Sequence, residues 1–145
     1  MDRTTARNLL TEKYRELVTE SEFTSQQTTD AYNAALDMSL RQLGYEESAL
    51  STADVPQANV LKYITLINYY TLDRFALLLS INVDLKAGSG AIDIAQSQAF
   101  KQVSVLKAQA AAELSMYGID VGSTSGFQMG RINLDFLEPS TTTEF

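Results

Sequence analysis

Cysteine, histidine and tryptophan are all absent from this 145-residue chain. Without cysteine there are no disulfides and no thiolate metal sites, and without histidine the commonest general base and metal ligand are gone. Proline occurs twice and glycine seven times, too few for a low-complexity chain. Positive charge is also scarce, with 11 Lys and Arg against 18 Asp and Glu and a formal net charge of -7. Residues 1–50 carry nine acids and five bases, 51–100 four and three, and 101–145 five and three, so no segment is basic. Tight binding of nucleic acid needs clustered Lys and Arg to neutralise phosphates, and this chain does not cluster them. No basic and apolar leader opens the sequence, which sets a cytoplasmic site of synthesis as the expectation. The most apolar run, LKYITLINYYTLDRFALLLSI, has the length of a membrane span but carries Asn68, Asp73 and Arg74 near its middle. Charges there cost a few kcal/mol each in a bilayer, on the order of 2.5 to 3.5, so a buried core helix is expected and no membrane partner.

What is present is helical periodicity in a chain long enough for one domain with a real core. Residues 5–20 place Ala6, Leu9, Leu10, Tyr14, Leu17 and Val18 at three-and-four spacing, with Thr4 or Thr5 as the N-cap. A polar connection follows, in which Phe23 is a candidate anchor. Thr28 or Thr29 opens a second helix, with Tyr32, Ala35, Leu36, Leu40 and Leu43 on one side and Gly44 placed to end it in the left-handed conformation. The longest helix is expected from about Asp54, where D-V-P-Q supplies a cap, to about Ser80. Its apolar residues surround it rather than forming a stripe, as in a helix contacted from several sides. The last helix spans about 96–117, with Phe100, Val103, Leu106, Ala110, Leu114 and Tyr117 inward and Gly118 as its stop. Its stretch KAQAAAEL allows close approach by another helix, of this subunit or of a second one.

Two segments break the helical pattern. In INVDLKAGSGAIDIA, Ile81, Val83 and Leu85 alternate with polar residues, AGSG supplies a turn, and Ile92 and Ile94 flank Asp93. This predicts a short β-hairpin arm over 81–94. In RINLDFL, residues 131–137, Ile132, Leu134 and Phe136 alternate with Arg131, Asn133 and Asp135, which predicts a C-terminal strand. The expected organisation is mainly α: a bundle of about four helices over residues 1–120 carrying the arm, then a linker, strand and flexible tail over 121–145. Burying the three apolar residues of the strand gains about 1.5 to 3 kcal/mol each, while ordering its backbone costs roughly 1 to 2 kcal/mol per residue. These nearly cancel, so ladder hydrogen bonds from another strand edge must decide, and the glycine-bearing run before it gives the reach to find one. The candidate partner-binding residues are therefore Ile81, Val83, Leu85, Ile92 and Ile94 in the arm, and Arg131, Ile132, Leu134, Phe136 and Phe145 in the tail.

Candidate chemistry is thin. Glu46 and Glu47 form the sole adjacent acidic pair, on an expected surface loop. Asp73 and Arg74 point about 100° apart on a helix, so each needs its own partner, and a structural or intersubunit ion pair fits better than catalysis. GSTSGFQMG has glycines but no G-K-[ST], and Asp84 and Asp93 lack calcium-loop spacing. Tyr63, Tyr69 and Tyr70 read as packing residues. No catalytic, metal-binding or cofactor-binding set emerges.

The order of elements resembles the head-to-tail adaptor, or connector, proteins of tailed bacteriophages. The residues that carry the resemblance are YNAALDMSLRQLGY, the long apolar helix, INVDLKAGSGAIDIAQSQAFKQV and VLKAQAAAELSMYGI, over about 28–120, most closely at SQAFKQVSVLKAQAAAELSMYGI. The resemblance implies a structural virion protein without enzymatic activity: a ring, commonly of twelve copies, between portal and tail. Its implied partners are the portal protein, tail or neck proteins and further copies of itself, with DNA passing through the channel unbound. An acidic wall that repels DNA agrees with that role. The competing expectation is a small helical regulatory or chaperone-like protein that engages one partner through its C-terminal tail.

Overall fold

A computed structural model of the chain describes the backbone of residues 1–88 and 94–121, and the side chains of 1–81 and 97–121. The helices are α1 (Arg3–Lys13), α2 (Arg15–Ser21), α3 (Ser25–Gln42), α4 (Val60–Gly88) and α5 (Ile94–Met116), with 3-10 turns at Glu47–Ala49 and Gln57–Asn59. Helix α4 packs against α1, α3 and α5, while α1 lies on α3 and α2 on α5. The result is a helical bundle with α4 at its centre.

Local chemistry accounts for most of the boundaries. Asp2, not Thr4 or Thr5, caps α1: its carboxylate accepts the Thr5 amide at 2.8 Å, and that bond holds its pKa below the usual carboxylate value. The helix expected to run through 5–20 breaks at Tyr14, with φ -105° and ψ 13°, before resuming as α2. The phenol of Tyr14 turns inward and donates to Asn68 Oδ1 at 3.0 Å in the buried interior. This change of direction lets α1 serve α3 while α2 serves α5. Helix α3 starts earlier than its apolar periodicity indicates. Thr24 Oγ1 accepts the Gln27 amide at 3.1 Å and Gln27 Oε1 accepts the Thr24 amide at 3.0 Å, a complete capping box that T-S-Q-Q already encodes.

Gly44 (φ 98°) and Gly118 (φ 80°) end α3 and α5 as expected. In both cases the next residue's amide reaches five residues back, Tyr45 to Leu40 O at 3.0 Å and Ile119 to Leu114 O at 3.1 Å, closing the orphan carbonyls of the last turn. Helix α4 begins at Val60 rather than near Asp54, because the Gln57–Asn59 turn leads into it. Asp54 bonds instead to the Met1 amine at 2.8 Å, beside an antiparallel bridge between Asp2 and Asp54.

The core is centred on Phe75 of α4, which has no exposed surface. Around its ring lie Phe23 at 5.0 Å, Tyr14 at 5.8 Å in an edge-to-face arrangement and Tyr32 at 6.0 Å. Phe23 thus anchors the α2–α3 connection. Each such aromatic pair adds about 0.5 to 1.5 kcal/mol beyond burial, and one ring here holds three segments at once.

The expected hairpin arm is corrected over its first half. α4 continues as helix to Gly88 through Ile81, Val83 and Leu85, and Ile94 is the first residue of α5. Ile81 and Leu85 alternate, but they also stand four apart, so five residues satisfy either period. Extending a formed helix needs no new nucleus, whereas a lone hairpin is marginal in water. Among the described residues there is no β-strand. Ile92 and the expected strand at 131–137 lie outside them.

Two outcomes test this packing. Tyr14→Phe leaves the Asn68 carboxamide oxygen buried without its donor and is expected to cost about 1 to 3 kcal/mol in urea unfolding, most of which the added change Asn68→Leu recovers. A silent Tyr14→Phe would contradict the bond. Burial raises the pKa of Tyr32, Tyr63 and Tyr69 to about 12, and raises those of Tyr14 and Tyr70 as well. The unfolded chain releases these protons from about pH 10, the free tyrosine value, so the packing contributes fully below that pH and its contribution is lost as the pH climbs towards 12. Tyrosinate absorbance from these five residues should therefore rise late and together with loss of the helical signal. All five titrating near pH 10 in a chain that stays folded would contradict this burial.

Candidate interaction surface

The polar contacts sort the charged side chains into those that fix helices and those left over. Asp73 of α4 meets Lys107 of α5 at 2.7 Å, and the same ammonium stands 5.7 Å from the centre of the Tyr69 ring. The expectation that Asp73 pairs away from Arg74 is met by an ion pair within the subunit. Arg3 reaches Asp37 at 2.7 Å and the Leu50 carbonyl at 3.4 Å, tying α1 to α3 and to the loop after it. Glu47 accepts from Arg41, which holds its carboxyl below the usual value, while its neighbour Glu46 is exposed. Glu46 and Glu47 therefore do not act as a converging pair. Among the described residues no group of three or more carboxylates could hold a metal ion.

Exposed apolar residues also remain. Leu61, Leu77 and Ile81 of α4, Val105 and Met116 of α5, and Tyr117 are all exposed large hydrophobic residues. α4 is contacted from several sides, as expected, with Leu61 and Leu77 left exposed, while Tyr117, 43% exposed, does not face inward with Val103, Ala110 and Leu114. A groove of about 320 Å³ runs beside Leu77, lined by Gln27, Asp30 and Ala31 of α3 and by Arg74 and Leu78 of α4. A second, more polar groove of about 450 Å³ follows the break at Tyr14, between α1, α2 and the Gln102 and Leu106 side of α5.

The residues singled out in the sequence are divided by this arrangement. Ile81 is 49% exposed beyond the groove, on the face that Leu77 also occupies. Val83 and Leu85 continue the same helix and Ile94 opens the next. Ile92, Arg131, Ile132, Leu134, Phe136 and Phe145 lie outside the described residues. Sequence pattern alone does not separate Leu77, Val105 and Met116 from the apolar residues that turn inward. Spacing against the buried set is the signal that separates them once the inner face is known. No helix among the described residues is long and apolar enough to cross a membrane. Comparison with family models, with curated proteins and with solved structures returned no match for the chain.

Proposed function

We propose that the chain is a structural subunit of a tailed-phage virion, one of a ring of copies seated between portal and tail that lengthens the DNA channel and offers the tail a docking surface. One observation carries this reading. Large apolar side chains stand uncovered on both long helices, Leu77 and Ile81 on α4 and Val105 and Met116 on α5, each about half or more exposed. Apolar side chains that recur along one exposed helix face are suited to contact with another helix. A ring meets the requirement in a particular way, since each copy must carry two different surfaces that fit one another.

Two further points support it. The net charge of -7 suits a channel wall that DNA slides past rather than adheres to. The sequence adds an alternating run at 131–137, a pattern suited to pairing with a strand edge of another chain. The role calls for shape and contact and no reaction.

Electron microscopy of the chain mixed with purified portal rings tests the proposal. A second ring, coaxial with the portal and with an open centre, is the expected image. Bare portal rings at saturating amounts of the chain would contradict it.

A further inference from the structure

Resting on the ring reading above, we infer which surfaces of neighbouring copies meet: the outer face of α4 in one copy packs against the outer face of α5 in the next. On α4 the solvent side is Tyr70, Arg74, Leu77 and Ile81, at spacings of four, three and four. Tyr70 is half-buried and the other three are exposed, Leu77 by 52% and Ile81 by 49%. On α5 the solvent side is Lys101, Val105, Ala108 and Ala112, again at four, three and four, and Met116 continues it, 84% exposed. Such spacing is that of a helix seam made to receive another helix, and here both seams point away from the subunit's own core.

The occupant is fixed by three complementarities. The first is size: α4 presents Leu77, Ile81 and the Arg74 stem, and α5 presents Ala108 and Ala112, which let a second backbone come close. The second is charge. Arg74 has no ion pair among the described residues, and neither has Glu113, exposed at the edge of the α5 seam. The third is direction. The short connection between Gly88 and Ile94 and the contact of Lys107 with Asp73 set α4 and α5 antiparallel within one subunit. A rotation about an axis along the bundle therefore brings α4 of one copy antiparallel to α5 of the next. In that orientation one register places Ile81 by Val105, Leu77 by Ala108, Tyr70 by Met116, and the Arg74 guanidinium over Ala112 beside the Glu113 carboxylate. The contact joins two different faces, so it propagates around a ring instead of closing in a pair.

The absence of native cysteine makes the register directly testable. Full-length Leu77→Cys and Ala108→Cys chains, mixed under assembling conditions and oxidised, should give covalent dimers with each other and none with themselves. In sedimentation of chains without cysteine, Arg74→Glu or Glu113→Arg alone should weaken self-association at least tenfold, and the two together should restore it to within about threefold. Circular dichroism verifies that these surface variants stay folded. Assembly of the wild type without the mixed cross-link, cross-linking of Ala108→Cys with itself, or charge reversals without effect would overturn the seam while leaving the ring. A wild-type chain that remains monomeric at millimolar concentration and also beside the portal would overturn both.

Discussion

The ring of Phe75 is the point on which the rest of the fold depends. It lies midway along α4, has no exposed surface, and touches Tyr14 at the α1–α2 break, Phe23 in the α2–α3 connection and Tyr32 of α3. Burying one such side chain contributes about 1.5 to 3 kcal/mol. Its larger effect is geometric, because three chain segments far apart in sequence take their positions from a single side chain. The hydrogen bond from Tyr14 to Asn68 adds direction to that contact. The break in the first helix is then a consequence: a straight helix would carry Tyr14 past the core, and α2 would not come to rest on α5.

Central clamping from one side leaves the other side of the long helices to do something else. α3 and α1 cover the Phe75 side of α4, and α5 is fastened by the Asp73 and Lys107 pair, so an arc of α4 between α3 and α5 stays open. The open arc sets Leu77 and Ile81 in a row with Arg74 and the half-buried Tyr70, a surface suited to a helix partner. That contrast between a packed interior and an uncovered row of side chains is the physical content of the ring proposal.

The bundle was legible in the sequence wherever one face of a helix is apolar or a glycine must be left-handed. Ala6, Leu10, Tyr14 and Leu17, the α3 stripe, Gly44 and Gly118 all follow from spacing and backbone sterics, and Phe23 could be recognised as an anchor because it stands alone in a polar run. Less legible were the features set by competition. Thr4 and Thr5 are good caps, and only the Asp2 to Thr5 bond shows which residue takes the role. Five residues from Ile81 to Leu85 fit two periods, and the helix already running into them decided the outcome. The surface was hardest to see. On α4 and α5, apolar residues face both the core and the solvent, so a pattern in the sequence cannot rank Leu77 against Phe75 until the partners of Phe75 are known.

Site-resolved amide hydrogen exchange on the intact chain tests the central clamp most directly. If Phe75 holds the three segments together, the amides of α4 from Ile67 to Leu79 exchange slowest and only through opening of the whole bundle, with α1 and α2 opening earlier. Exchange of that stretch of α4 as fast as, or faster than, α1 would contradict the account.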